Sequence, residues 1–211
     1  AAAVRAAEVL LAQGLVPAMQ RGDVLRRLAW FAPDAASRRA RVLAAMEAFV
    51  SARSLLGQAS SHYELADMAR NAHDLDAALR HWREAERLFG VAGSPAAHQS
   101  RLMVGHVLTR LGRLEEADER LASAVGGGAR TAGSIAVFIG LVARAVIAVR
   151  RQRWEVAEAY LAKAEARGRP ERFHADVAPF LLDAPELADE AGRHELAARL
   201  RAAVGSDLEE G

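Results

Sequence analysis

Gly112-Arg113-Leu114-Glu115-Glu116-Ala117 decides the fold, because the chain carries it in four versions. His73-Asp74-Leu75-Asp76-Ala77-Ala78 lies 39 residues upstream, Gln152-Arg153-Trp154-Glu155-Val156-Ala157 lies 40 downstream, and Gly192-Arg193-His194-Glu195-Leu196-Ala197 lies 40 beyond that. Each version opens on a turn-tolerant residue, sets an apolar or aromatic residue two on, then an acid, and ends on an alanine two after the acid. Four and seven residues past that alanine stand Trp82 and Ala85, Leu121 and Ala124, Leu161 and Ala164, then Arg201 and Val204. A fixed period of this size implies stacked helical hairpins, since one hairpin cannot bury its apolar face alone. Such an array points to binding rather than chemistry.

Composition agrees. The 211 residues include 49 alanines, and only 5% are aromatic, which suits close helix packing and not a β-sandwich. A hydrophobic fraction of 52% is ample for a core. With 28 basic and 27 acidic residues the net charge is +1, so the chain as a whole has no electrostatic footprint for nucleic acid. The absence of cysteine excludes disulfides, thiolate metal sites and cysteine nucleophiles, and fits a cytoplasmic protein. The first residues carry Glu8 early and lack the apolar stretch of a secretory leader; the missing initial Met suggests a piece of a longer protein. Ser134 to Val149 is almost all apolar but too short for the roughly 20 residues a membrane helix needs, and it holds Arg144. It reads as a buried central helix.

Along the chain, residues 1–58 are expected to be N-terminal helices that form one or more off-period repeats. Gly14 ends a first helix, Pro17 suits the first turn of the next segment, Asp23 is the expected N-cap after Gly22, and Ala32-Pro33-Asp34 starts a long helix closed by Gly57. Residues 59–204 form the regular array, with hairpins expected over 60–89, 95–125, 131–167 and, as a polar cap, 171–204. Gly126-Gly127-Gly128 is the strongest expected breaker, and Pro179 and Pro185 interrupt the last unit. Residues 205–211 are expected to fray.

The repeated alanines are expected where paired helices cross, because a larger side chain would push the axes beyond about 8–10 Å. The acid before each alanine falls in a first turn, where the helix dipole favours it.

This pattern resembles the tetratricopeptide repeat (TPR) family. The small residue that opens the family's second helix matches Ala78, Ala117 and Ala157, its aromatic or leucine four on matches Trp82, Leu121 and Leu161, and its second small residue matches Ala85, Ala124 and Ala164. The small residue of its first helix matches Ala66 and Gly105. The turn glycine is kept at Gly112 and Gly192 and replaced by His73 and Gln152. A period near 40 rather than about 34, and no closing proline, make the array similar to those attached to bacterial transcriptional regulators, ATPases and kinases. The resemblance implies an all-α fold, a right-handed superhelix of antiparallel helix pairs with a concave groove.

Carried over by position, the resemblance puts Tyr63, Asp67, Arg70 and Asn71 of the first hairpin on the groove, then Gln99, Leu102, His106, Thr109 and Arg110 of the second. In the third, Ile135, Phe138, Ile139, Val142, Val146 and Val149 make one stripe, and Arg144 falls opposite it beside Val137, Gly140 and Ile147. Arg110 and Arg144 would be anion-seeking donors and Tyr63 an aromatic platform. The alternatives are a solvated face, or Arg144 paired with a nearby acid. The groove lacks the lysine and asparagine set with which some TPR adaptors grip a C-terminal carboxylate.

Other chemistry is not spelled out. The seven histidines are scattered, His81-Trp82-Arg83-Glu84 is not a zinc-protease motif, no nucleophile elbow occurs, and the triple glycine lacks a GK[ST] ending. No catalytic residue, cofactor or metal is expected. Arg26, Arg27, Arg38, Arg39 and Arg41 near Trp30 and Phe31 form a modest basic patch, read as an ordinary exposed helix face. The expectation is a non-catalytic cytoplasmic scaffold that binds a protein segment, a peptide or an attached effector domain as part of a larger bacterial regulator, with no nucleic-acid or membrane partner and self-association left open. The alternative is a small-ligand sensor domain of a transcriptional regulator or ATPase.

Overall fold

Six helices end in the same way. Arg53, His73, Gly93, Gly112, Gln152 and Gly192 all take positive φ, between 53° and 73°. In each case the next N–H reaches back five residues: Ser54 to Phe49 O, Asp74 to Ala69 O, Ser94 to Phe89 O, Arg113 to Leu108 O, Arg153 to Ala148 O and Arg193 to Ala188 O, at 2.7–2.9 Å. This is the Schellman closure, which satisfies carbonyls that a helix end leaves bare. His73 and Gln152 hold the left-handed position that Gly112 and Gly192 hold more cheaply.

The computed structural model describes residues 2–131, 134–168 and 180–204. The described residues are all-α with no strand. They fall into two units, 1–100 and 101–211. Unit 1 holds α1 (Ala2–Ala12), α2 (Ala18–Ala29), α3 (Ala35–Ser51), α4 (Leu55–Asn71), α5 (Leu75–Val91) and the start of α6 (Ala96–Arg110). Unit 2 holds the rest of α6, α7 (Leu114–Thr131), α8 (Ser134–Arg150), α9 (Trp154–Glu165), α10 (Ala184–Glu190) and α11 (His194–Val204). Consecutive helices pack on one another: α2 with α3, α3 with α4 and α4 with α5 in unit 1; α7 with α8, α8 with α9 and α10 with α11 in unit 2.

Four helix starts in unit 1, those of α3 to α6, share a side-chain cap. The side chains of Asp34, Ser54 and Asp74 accept from the backbone N–H three residues on, and Ser94 Oγ accepts from Ala96 N. Each satisfies a donor that the first turn would otherwise leave unpaired. Asp76, Glu115, Glu155 and Glu195 lie in first turns as expected.

The repeated small residues are where the packing is tightest. Ala78, Ala117, Ala157 and Ala197 are fully buried, as are Trp82, Leu121 and Leu161. In α6, a Cβ on Gly105 would stand 2.6 Å from Leu121 Cγ, and in α8 one on Gly140 would stand 2.6 Å from Val125 Cγ2. In α11 the apolar face slips by one residue: Leu200 and Ala203 are buried, while Arg201 turns out to Asp189 Oδ2 at 2.7 Å. The apolar run of α8 is buried along its length from Val137 to Val149 apart from Ile139 and Arg144, and no helix among the described residues is long and apolar enough to cross a membrane.

Several local expectations are corrected. Gly57 does not close a helix; α3 ends at Ser51, Arg53 takes the left-handed position, and Gly57 lies inside α4 against Phe49. Asp23 caps nothing, since α2 runs unbroken from Ala18 after Pro17 through Gly22. Gly22 and Gly57 are needed for contact rather than for a turn, because both backbones press on the Phe49 ring. Gly126-Gly127-Gly128 does not interrupt α7, which continues to Thr131. Three glycines cost about 3 kcal/mol relative to alanine, yet a nucleated helix adds a hydrogen bond for every residue it fixes. Pro185 opens α10 at its first turn instead of breaking a helix; Pro179 lies outside the described residues.

The N-terminal repeat keeps the period instead of falling off it. Val42, Ala45 and Phe49 stand 40 residues before Trp82, Ala85 and Phe89 and are buried like them, so α2 and α3 form a hairpin of the same plan. Arg38 at the usual alanine position hides it.

Candidate functional site

In unit 1 the N-terminal ends of α3 and α5 and the C-terminal ends of α2 and α4 border a groove of about 730 Å³. Its floor is small and apolar, with Ala29, Leu65, Met68 and Ala77, and its rim carries Asp34, Arg39, Asn71, Asp74 and His81. Trp30, the residue that ends α2, stands 65% exposed at its side, with the Arg38 guanidinium 4.6 Å from the ring centroid. Asp34 is tied to Ser37 by two bonds of 2.7 and 2.8 Å, and these hold its carboxyl below the usual range. Most rim residues are exposed to solvent.

Beside it runs the polar face of α4. Tyr63, Asp67 and Arg70 come together over the buried Trp82: Tyr63 meets the indole edge-on at 6.2 Å, the Arg70 guanidinium lies 5.9 Å from it, and Arg70 pairs with Asp67 at 3.1 Å. Glu64, absent from the sequence-based set, is 7% exposed and takes Arg26 Nη1 at 3.0 Å. Burial pushes both Glu64 and Asp67 up from ordinary carboxylate values, against the pull of the neighbouring arginines. Asn71 belongs to the rim of that groove, and Gln99 on α6 is exposed.

Unit 2 distributes its expected site residues differently. His106 is corrected from the free face to the interior: it is 2% exposed, with its ring 4.4 Å from Phe180. Leu102 and Thr109 are buried too, and the Thr109 hydroxyl donates to Gly105 O at 2.8 Å. Arg110 lines a depression of about 280 Å³ with Arg150, Leu182 and Asp183. Arg150 is engaged there, donating to Thr109 O at 2.8 Å and lying 3.4 Å from Asp183. Arg144 is paired with an acid: Nε and Nη2 lie 2.6 and 3.3 Å from the Asp118 carboxylate, and the guanidinium stacks 4.3 Å from the Tyr160 ring.

The basic N-terminal patch is likewise partly spent on internal partners. Arg26 holds Glu64, Arg41 holds Glu8 and Leu28 O, and Arg38 covers Trp30. The groove it borders had a sequence signal, an aromatic pair Trp30-Phe31 between an amphipathic helix and a Pro-Asp turn. Among the described residues no group of three or more His, Asp or Glu is placed to hold a metal.

No protein-family model matches the chain, and no curated protein matches it in sequence. In fold it is similar to the crystal structure of BtubC (BKLC) from P. vanneervenii, at a TM-score of 0.70 and 17% identity over 96% of this chain and 88% of that one. At that identity the likeness speaks for the fold alone.

Proposed function

We propose that this chain is a TPR-like, non-catalytic scaffold that binds a protein segment or peptide, working in the cytoplasm as a module of a larger bacterial regulator. The observation that supports it best is the open unit 1 groove, with its alanine-lined floor and the exposed Trp30 beside it. An apolar floor takes a side-chain anchor, while rim groups of both signs meet a backbone on either side. The partly buried Tyr63–Asp67–Arg70 face offers a second, polar contact on the same helix.

A small-ligand sensor is the second reading, because about 730 Å³ falls within the range of small-molecule sites. The exposed rim favours the extended guest. Random twelve-residue peptides displayed on phage and selected on the full chain separate the two. Selected peptides should quench Trp30 fluorescence and lose at least tenfold in affinity on Trp30→Ala and on Met68→Glu. Peptides that bind both variants as well as the parent, or no enrichment at all, would overturn the groove as a peptide site.

A further inference from the structure

Among the seven histidines, which look scattered along the chain, two meet: His62 of α4 and His81 of α5 have their Nδ1 atoms 3.0 Å apart. The ring centroids are 5.3 Å apart and the planes are inclined by 40°. The centroids are therefore only 2.3 Å farther apart than the nitrogens, which is about the most that one ring radius at each end can add. Both nitrogens lie close to the line joining the rings, pointing nose to nose.

That geometry chooses between two uses of a histidine pair. A shared metal ion needs about 2.0–2.1 Å to each nitrogen, with both lone pairs converging on a point off the line. Here the midpoint is 1.5 Å from each nitrogen, and the rings face each other rather than a common point. A single hydrogen bond fits instead: one ring donates Nδ1–H and the other accepts at a bare Nδ1.

We propose that His62 and His81 form a proton-released clasp between α4 and α5, closed while one proton lies between the two Nδ1 atoms and open once both rings are imidazolium. The proton arithmetic gives the clasp its steepness. One added proton is tolerated, because an imidazolium donor facing a neutral acceptor keeps the bond and strengthens it. The second is not, because two N–H groups and two positive charges then face each other at contact distance.

The surroundings favour the neutral pair. Burial lowers both histidines below their usual 6.5. Toward His62, Glu84 of α5 favours the charged ring and Arg87 opposes it. Toward His81, Arg39 of α3 and Arg80 of α5 oppose the charge, and Asp74 at the start of α5 favours it. The unfolded chain binds protons at ordinary histidine values, so the clasp's contribution is complete above about pH 6.5 and is lost as the pH falls below it. Each proton that the unfolded chain binds and the clasp refuses raises the unfolding constant by up to tenfold per pH unit. His81 also lines the unit 1 groove, so release adds positive charge to that wall.

The clasp does not depend on what the groove holds. Long-range 1H–15N spectra of the full chain between pH 8 and 5 test it directly. One ring of the pair should carry its proton on Nδ1 and the other on Nε2, and the pair should take its second proton only below the ordinary histidine range. Two Nε2–H rings would overturn the proposal. Urea midpoints give a second reading: His62→Gln with His81→Gln should flatten the fall between pH 7 and 5 relative to the parent. An equal fall in the paired variant and the parent would also overturn it.

Discussion

Gly57→Ala isolates the contact by which α4 packs on the hairpin of α2 and α3. Phe49, 1% exposed, lies between two helix backbones: a Cβ on Gly57 would stand 2.2 Å from its Cδ1, and one on Gly22 would stand 2.6 Å from its Cε1. The ring has no retreat, because moving away from one helix drives it into the other. Overpacking of this kind costs about 1–3 kcal/mol, and the upper end applies where both walls are backbone. Alanine returns up to about 1 kcal/mol through helix propensity, which leaves a net loss of about 1–2 kcal/mol. For a chain of this size that is a fall in Tm of roughly 2–8 °C. Gly126→Ala supplies the contrast, since its Cβ would meet nothing within 4 Å in the helical α7. It should gain up to about 1 kcal/mol by the same propensity. Thermal melts followed by circular dichroism at the helix band read both. Adding Phe49→Leu to Gly57→Ala should recover part of the loss, a coupling that shows the ring is the cause. Gly57→Ala as stable as the parent, or stabilised like Gly126→Ala, would refute the reasoning.

His73→Gly and Gln152→Gly should each raise stability by about 0.5–1 kcal/mol in urea titrations, because both residues hold left-handed φ, while Gly112→Ala should lower it by about 1 kcal/mol. Arg26→Met should cost about 1–3 kcal/mol at pH 7 by leaving the buried Glu64 without its cation. Its cost should shrink at pH 5, since burial raises the Glu64 pKa and the lone carboxylate then takes up a proton; urea midpoints at the two pH values check this. Arg144→Met should lower Tm by a few degrees, the equivalent of about 1 kcal/mol, because it removes the Asp118 pair and the Tyr160 stack that join α7, α8 and α9.

The period was legible because it is written in residues that face constraints of shape. Alanine at the crossings, leucine or tryptophan a turn later and an acid in the first turn each have one packing or dipole reason, and all three recur. The N-terminal hairpin was harder to see because Arg38 stands where the pattern asks for alanine, leaving only Val42, Ala45 and Phe49 to mark it. Glycine misled in both directions. Its freedom is one property and its missing side chain another, and sequence does not say which a position uses: Gly57 serves contact, Gly112 serves a turn, and Gly126 serves neither. The expected site was partly legible. Tyr63, Asp67 and Arg70 share a helix face that spacing reveals, whereas the partner of Arg144 is 26 residues away and that of His62 is 19, distances at which local periodicity is mute.

The six matching closures have a consequence for how such a chain can change in length. The residues that follow the left-handed position are numbered 54, 74, 94, 113, 153 and 193, so the chain advances in steps near twenty or forty. A single residue inserted within a helix would swing everything after it by about 100° and turn its buried stripe outward. Lengthening or shortening by one whole step would flip chain direction, and only a double step restores it. Natural variation among sequences of this plan should therefore come as forty-residue cassettes gained or lost whole, with small insertions confined to the bends.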